Sequence, residues 1–291
     1  MRRTAIEWTD YSWNPITGCT PISEGCENCY ARRMAQRLRG RFGYSADAPF
    51  KVTLHPDRLE EPFRWHKPRK VFVCSMGDLF HEQVPDEYIA KVWEVMSNAS
   101  QHTFIVLTKR PQRMKEFIER LGWYIHDREG NPTEAVLDKG GKYTLKNVWL
   151  GVTAENQARA DERIPILLGI PAEMRFVSVE PMLGPVDLTN VQFDRYTRMN
   201  VLEGCGISAR SPAQSIPNAF CDRLNWVICG SETGPNRRPA NIEWVRRLRN
   251  QCVSSGVPFF LKQMEIGNRV VKMPELDDQV WAQFPEVCHA S

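Results

Sequence analysis

Short unbroken apolar runs alternate with stretches of helical periodicity along the chain. Val71–Ser75, Thr103–Thr108, Val148–Val152, Arg175–Val179, Trp226–Gly230 and Val257–Leu261 are rich in β-branched or aromatic residues and lack polar alternation. Strands covered on both faces have this pattern, because neither face has to present polar side chains to water. Between them, Asp86–Ala99, Pro111–Leu121, Asn156–Leu168 and Ile242–Ser255 repeat apolar positions at helical spacing. Strand–helix alternation of this kind predicts an α/β fold with parallel strands. Neither a Gly-x-Gly-x-x-Gly turn nor a Gly-x-x-x-x-Gly-Lys-Ser/Thr loop occurs. That weakens an open nucleotide-binding sheet and favours a TIM-like full or partial (β/α) barrel.

Two stretches break the rhythm. Residues 126–146 are polar and carry Gly130, Gly140 and Gly141, and residues 189–222 are irregular. Excursions of this length carry function or lack order. Without repeats or low-complexity tracts, the expectation is one barrel domain over 1–291 with these two insertions.

Composition adds limits. With 42% hydrophobic and 25% charged residues in 291, the chain is globular rather than disordered. No apolar run is long enough to suggest a transmembrane helix, and no apolar core follows Arg2 and Arg3 as a secretory signal requires. A cytoplasmic protein is therefore expected. The formal net charge is only +3, yet residues 1–70 hold 13 Lys and Arg against 8 Asp and Glu. Arg32, Arg33, Arg37, Arg39 and Arg41 fall in ten residues without an acid, near Trp8, Trp13, Tyr30, Phe42 and Tyr44. Arginines interleaved with aromatic residues suit phosphates and bases, although a solvated helix face has the same composition.

The strongest chemical signal is the loop from Gly18 to Tyr30, with Cys19, Cys26 and Cys29 at C-x6-C-x2-C spacing. A structural zinc site needs four ligands; here the local set stops at three, and the nearest histidine is His55. A [4Fe–4S] cluster normally takes four thiolates, so three leave one iron open for a non-protein ligand. That is how a radical S-adenosylmethionine (SAM) enzyme holds SAM. Zinc with a distant fourth ligand from Cys74, Cys205, Cys221, Cys229, Cys252, Cys288 or a histidine stays open. The six cysteines outside the loop otherwise read as small core hydrophobes.

Further polar blocks follow the predicted strands: Ser75-Met76-Gly77-Asp78-Leu79-Phe80-His81, Thr108-Lys109-Arg110-Pro111, Thr153-Ala154-Glu155, Glu180-Pro181, Gly230-Ser231-Glu232-Thr233-Gly234 and Lys262-Gln263. In a (β/α) barrel the C-terminal strand ends form one mouth, where such blocks would meet. With Glu7-Trp8-Thr9, Trp13-Asn14-Pro15 and Gly184-Pro185-Val186-Asp187, these blocks resemble a phage-associated family of three-cysteine proteins. That family looks like an outlying branch of the radical SAM superfamily, similar in style to spore photoproduct lyase. The first cysteine gap is six residues where the common radical SAM spacing has three.

The resemblance implies a [4Fe–4S] cluster on Cys19, Cys26 and Cys29, SAM as second cofactor, and a 5′-deoxyadenosyl radical that abstracts hydrogen from the substrate. It places Asp78, with Ser75 and Gly77, at the SAM ammonium group. Lys109 or Arg110 would meet the SAM carboxylate or a substrate phosphate. Thr153 and Glu155 would meet the ribose, and Gly230 and Glu232 the adenine or substrate. Glu180 and Lys262 are the expected catalytic pair, with Gln263 a substrate contact. The implied substrate is a nucleic-acid base or nucleotide, as in phage DNA hypermodification. An electron donor such as flavodoxin or ferredoxin, and a partner protein, are the implied associates. Two alternatives remain: a zinc-stapled nucleic-acid-binding protein without catalysis, and a radical SAM enzyme acting on a peptide or small metabolite.

Overall fold

The computed structural model describes residues 4–121, 136–137, 143–208, 215–216 and 222–286. Its main sheet has eight strands: β1 (Tyr11–Trp13), β2 (Lys70–Val73), β3 (Thr103–Thr108), β4 (Val148–Thr153), β5 (Met174–Val179), β6 (Trp226–Gly230), β7 (Phe259–Ile266) and β8 (Arg269–Lys272). Each strand neighbours its predecessor in the chain. A doubly wound sheet reverses its strand order at a switch point. Here the order never reverses, which is the winding of a partial (β/α) barrel. The helices are α1 (Tyr30–Arg37), α2 (Asp86–Asn98), α3 (Pro111–Arg120), α4 (Gln157–Leu168) and α5 (Ile242–Ser254). The chain divides into two compact units, residues 1–152 with 170–174, and 153–169 with 175–291.

In the first unit β1, β2, β3 and β4 pair in parallel. Phe104, Ile105 and Val106 of β3 are fully buried, as their unbroken apolar run predicts. Trp13 of β1 is also fully buried, its ring 5.7 Å from that of Phe104. Helix α2 buries Ile89, Val92, Trp93 and Met96, and α3 buries Met114, Phe117 and Ile118. The rings of Phe80, Trp93 and Phe117 lie 5.6–6.3 Å apart. Burying each such side chain contributes about 1.5–3 kcal/mol. Pro111 opens α3, where a missing N–H costs nothing.

In the second unit every residue of β5 and β6 is buried. β5, β6 and β7 pair in parallel, and β8 returns antiparallel to β7. The reversal is a two-residue turn at Gly267 and Asn268, both at positive φ (56° and 61°), which matches strand twist in a tight hairpin. The sixth predicted strand therefore starts at Phe259 and runs on to Ile266. Asn156 caps α4 and Asn241 caps α5, each accepting a hydrogen bond from a first-turn N–H.

The stretch 189–222 is not irregular throughout. Its described part holds an antiparallel sheet of Val191–Gln192, Thr197–Asn200, Cys205–Ser208 and Ser215–Ile216, standing where a helix would otherwise join β5 to β6. Strands of two to four residues leave too little periodicity to read. Most of the predicted excursion 126–146 lies outside the described residues, as do Cys221 and Cys288. No helix among the described residues is long and apolar enough to cross a membrane.

Candidate functional site

The cysteine loop is seated by two glycines. Gly18 has φ +86°, and its N–H donates to the Met76 carbonyl at 2.9 Å. A Cβ there would lie 2.1 Å from the Lys51 carbonyl oxygen, so no other residue fits without moving backbone. Gly77 faces it, and a Cβ at that position would meet the Gly18 carbonyl at 3.0 Å. The loop thus lies against the turn that follows β2. Cys26 ends a short 3-10 turn, Glu24–Cys26, and Cys29 occupies the N-cap of α1.

Two cations from the end of β3 reach two of the sulfurs. Arg110 Nη1 donates to Cys19 Sγ at 3.4 Å, and Lys109 Nζ lies 3.8 Å from Cys26 Sγ and 3.5 Å from Ser23 Oγ. The two thiols differ in acidity. Burial pushes Cys19 up to about 12, helped by the Asp78 charge, and Arg110 offsets only part of this. Burial also opposes ionisation of Cys26, but Lys109 and backbone hydrogen bonds from Ile22 and Ser23 outweigh it, so Cys26 lies below the usual thiol range. Among the described residues, no group of three or more His, Cys, Asp or Glu is arranged to hold a metal ion.

Arg110 is the hub of the site. Its guanidinium donates to Asp78 Oδ2 at 3.0 Å, to Glu82 Oε1 at 2.8 Å, and to the Thr20 carbonyl and hydroxyl, both at 3.1 Å. Asp78 is buried. Its Oδ1 accepts from the Thr108 hydroxyl (2.7 Å) and the Phe80 N–H (3.0 Å), and its Oδ2 also from the Lys109 N–H (3.4 Å). The Gln83 N–H donates to His81 Nδ1, so His81 carries its proton on Nε2, 2.8 Å from Thr20 Oγ1. Burial lowers the His81 pKa, so its 3.6 Å approach to Glu82 is not an ion pair at neutral pH. Ser75 and Asn14 join side chains at 3.3 Å, and Asn14 Oδ1 accepts the Met76 N–H at 2.9 Å.

The first unit therefore gathers Cys19, Cys26, Asp78, Lys109 and Arg110, with Ser75 and Gly77 in the adjoining turn. Of these the sequence presents Lys109 and Arg110 as equivalent; the structure gives them different sulfurs. Thr20, Thr108, His81 and Glu82 are additions. Each is linked to a residue 28 or more positions away in sequence, and local spacing carries no signal of that.

The second unit holds a separate polar group. Glu180 Oε1 accepts from Lys262 Nζ at 2.5 Å and Gln263 Nε2 at 3.0 Å, and Gln263 Nε2 also donates to the Ser231 carbonyl at 2.9 Å. Gly230 packs on this carboxylate: a Cβ there would stand 3.3 Å from Glu180 Cδ. The Ser231 hydroxyl is buried beside them and has no hydrogen-bond partner among the described residues. Glu232 is buried and held by Arg238 through both oxygens, at 2.6 and 3.1 Å. Glu155 is fully buried, with Arg163 Nη1 at 3.0 Å; the same nitrogen donates to the Thr153 carbonyl at 2.8 Å. Cys229 and Cys252 are buried thiols raised by desolvation, the state of core residues.

A family model described as "Protein of unknown function (DUF5131)" matches residues 3–285, and the chain belongs to that family. No curated protein and no solved structure matches it.

Proposed function

We propose that this DUF5131 chain is a radical SAM enzyme, with Cys19, Cys26 and Cys29 as cluster ligands and a nucleic-acid base or nucleotide as substrate. The observation that carries the reading is the donor set of the 18–30 loop. Three thiols stand in one short loop: Lys109 holds Cys26 toward the thiolate, the form that binds metal, and Arg110 offsets part of the burial that keeps Cys19 protonated. The three sulfurs are not gathered into one metal-holding arrangement in this structure, and the support is the donor count: three thiolates suit a [4Fe–4S] cluster with one open iron better than a closed tetrahedral zinc site. When bound, such a cluster supplies an electron that cleaves the sulfonium of SAM.

The chain's own residues have distinct tasks in this reading. Lys109 and Arg110 offset the negative charge of the thiolates. Asp78 and Glu82 fix the guanidinium of Arg110, so the cation on Cys19 is positioned rather than mobile. The turn Ser75–Asp78, pinned to Gly18, shapes the wall beside the cysteines where SAM would sit. Glu180 and Lys262 form the acid–base pair: Glu180 Oε1 is occupied by Lys262 and Gln263, which leaves Oε2 to take a substrate N–H or O–H.

Anaerobic purification with iron and sulfide analysis, and optical and EPR spectra with and without SAM, tests the reading. The expected protein is brown with about four irons per chain, perturbed by SAM and bleached in Cys26→Ala. Colourless protein carrying a single zinc would overturn it.

A further inference from the structure

We infer that the arginine-rich segment from Tyr30 to Phe42 binds a single strand of nucleic acid. The inference supplies the substrate half of the reading above with a surface, and it does not depend on the cluster.

Charge is the first argument. Arg37, Arg39 and Arg41 are exposed. Surface arginines elsewhere, such as Arg159 and Arg246, meet carboxylates. Arg32, Arg37, Arg39 and Arg41 meet no carboxylate among the described residues. Arg32 donates to the Cys26 carbonyl at 3.3 Å, Arg39 to the Ala46 carbonyl, and Arg41 to the Arg37 carbonyl at 2.7 Å. The Arg37 guanidinium has no hydrogen-bond partner among the described residues. Backbone carbonyls brace these side chains without neutralising them, so full positive charges stand ready for phosphates.

Aromatic exposure is the second argument. Tyr30 is 54% exposed, and Phe42, at 72%, is the most exposed large apolar side chain among the described residues. Phe42 also sits at φ 53°, a backbone region that disfavours a bulky residue. Arg58 Nη2 holds its carbonyl at 2.7 Å, and the Gly40 N–H closes the turn onto the Tyr44 carbonyl at 3.0 Å. The fold thus holds an apolar ring out in water in a strained turn. Phe42 lines a cleft of about 570 Å³ together with Asn14, Tyr44, His55 and Asp57, which offers polar groups to the edge of a stacked base. Stacking on exposed rings needs unpaired bases, which selects a single strand over a duplex.

Fluorescence anisotropy of a labelled 20-mer oligo-dT over a salt series tests the inference on the full chain. The Arg37→Ala, Arg39→Ala, Arg41→Ala triple variant is expected to lose more than tenfold in affinity. It should also reduce the slope of log affinity against log salt by about 2, since each single-strand phosphate contact contributes about 0.7. Phe42→Ala is expected to lose about tenfold with the slope unchanged. A charge-matched variant, Arg195→Ala, Arg198→Ala, Arg269→Ala, should bind as wild type, and a hairpin duplex should bind more weakly. The inference is overturned if the matched variant loses as much as the first triple. Equal binding of duplex, insensitive to Phe42, or binding only to anionic phospholipid vesicles, would also overturn it. The anisotropy reads the strand and not the metal, so failure of the iron analysis leaves this result standing.

Discussion

At the scale of single residues, Arg110 shows why a motif is only half of a site. Pro111 disfavours helical backbone at the residue before it, and Arg110 accordingly takes φ −117°, ψ 61°. That places its side chain at the end of β3 rather than on α3. There it reaches Cys19, Asp78, Glu82 and Thr20 at once. Arg110→Met would leave the buried Asp78 carboxylate without its countercharge, and removing one member of a buried pair costs about 3–5 kcal/mol. Urea unfolding should show that loss. Arg110→Lys should recover only a minor part, because an ammonium cannot fork between Asp78, Glu82 and the Thr20 oxygens. Equal stability of the lysine variant and wild type would show that charge alone, without the fork, supports the loop. The cysteines were legible in the sequence because three sulfurs in eleven residues are a local pattern. The partners of Arg110 were not, because Asp78 and Thr20 lie 32 and 90 residues away.

At the scale of elements, burial decides what can be read. β3 and β6 match their apolar runs to the residue, since a strand covered on both faces writes its full length in hydrophobic side chains. β1 is three residues long, and β8 is a mostly exposed edge strand with Arg269 and Lys272; neither carries such a run. Helix α4 shows a further limit: its periodicity is plain, but Arg163 lies on its buried side. The reason is Glu155, just beyond β4, whose carboxylate meets Arg163 with both groups out of water. The pair fixes α4 to the end of the preceding strand. Glu155→Gln should therefore destabilise the chain by about 3 kcal/mol, since only the half-exposed Glu162, 3.8 Å away, is then left to the buried guanidinium. The double variant Glu155→Gln, Arg163→Met should regain much of that loss, because it removes the stranded charge. A double-variant unfolding cycle measures this, and strict additivity of the two losses would show that the ion pair is not the coupling element.

At the scale of the whole molecule, the response to acid follows from histidines that the fold keeps neutral. His55 is buried with Nε2 2.8 Å from the Thr17 hydroxyl, and His102 is buried with Nε2 3.0 Å from the Pro62 carbonyl. Burial lowers both pKa values from 6.5, with nearby Arg58 and Arg69 acting in the same direction. Above about pH 7 both residues are neutral in folded and unfolded chains, and they add no pH dependence. As pH falls through 6.5 the unfolded chain takes up protons that the folded chain refuses, so stability falls. The ceiling is about 1.4 kcal/mol per pH unit for each histidine. Glu61 acts in the opposite sense, because burial raises its carboxyl pKa, but its effect enters only nearer the carboxylate range. The urea midpoint should therefore be flat between about pH 7 and 8 and decline between about pH 6.5 and 5.5. The decline should be shallower in the His55→Gln, His102→Gln variant, whatever stability that variant loses at pH 7.5. An unchanged slope in the variant would assign the acid response to His81 and the carboxylates instead.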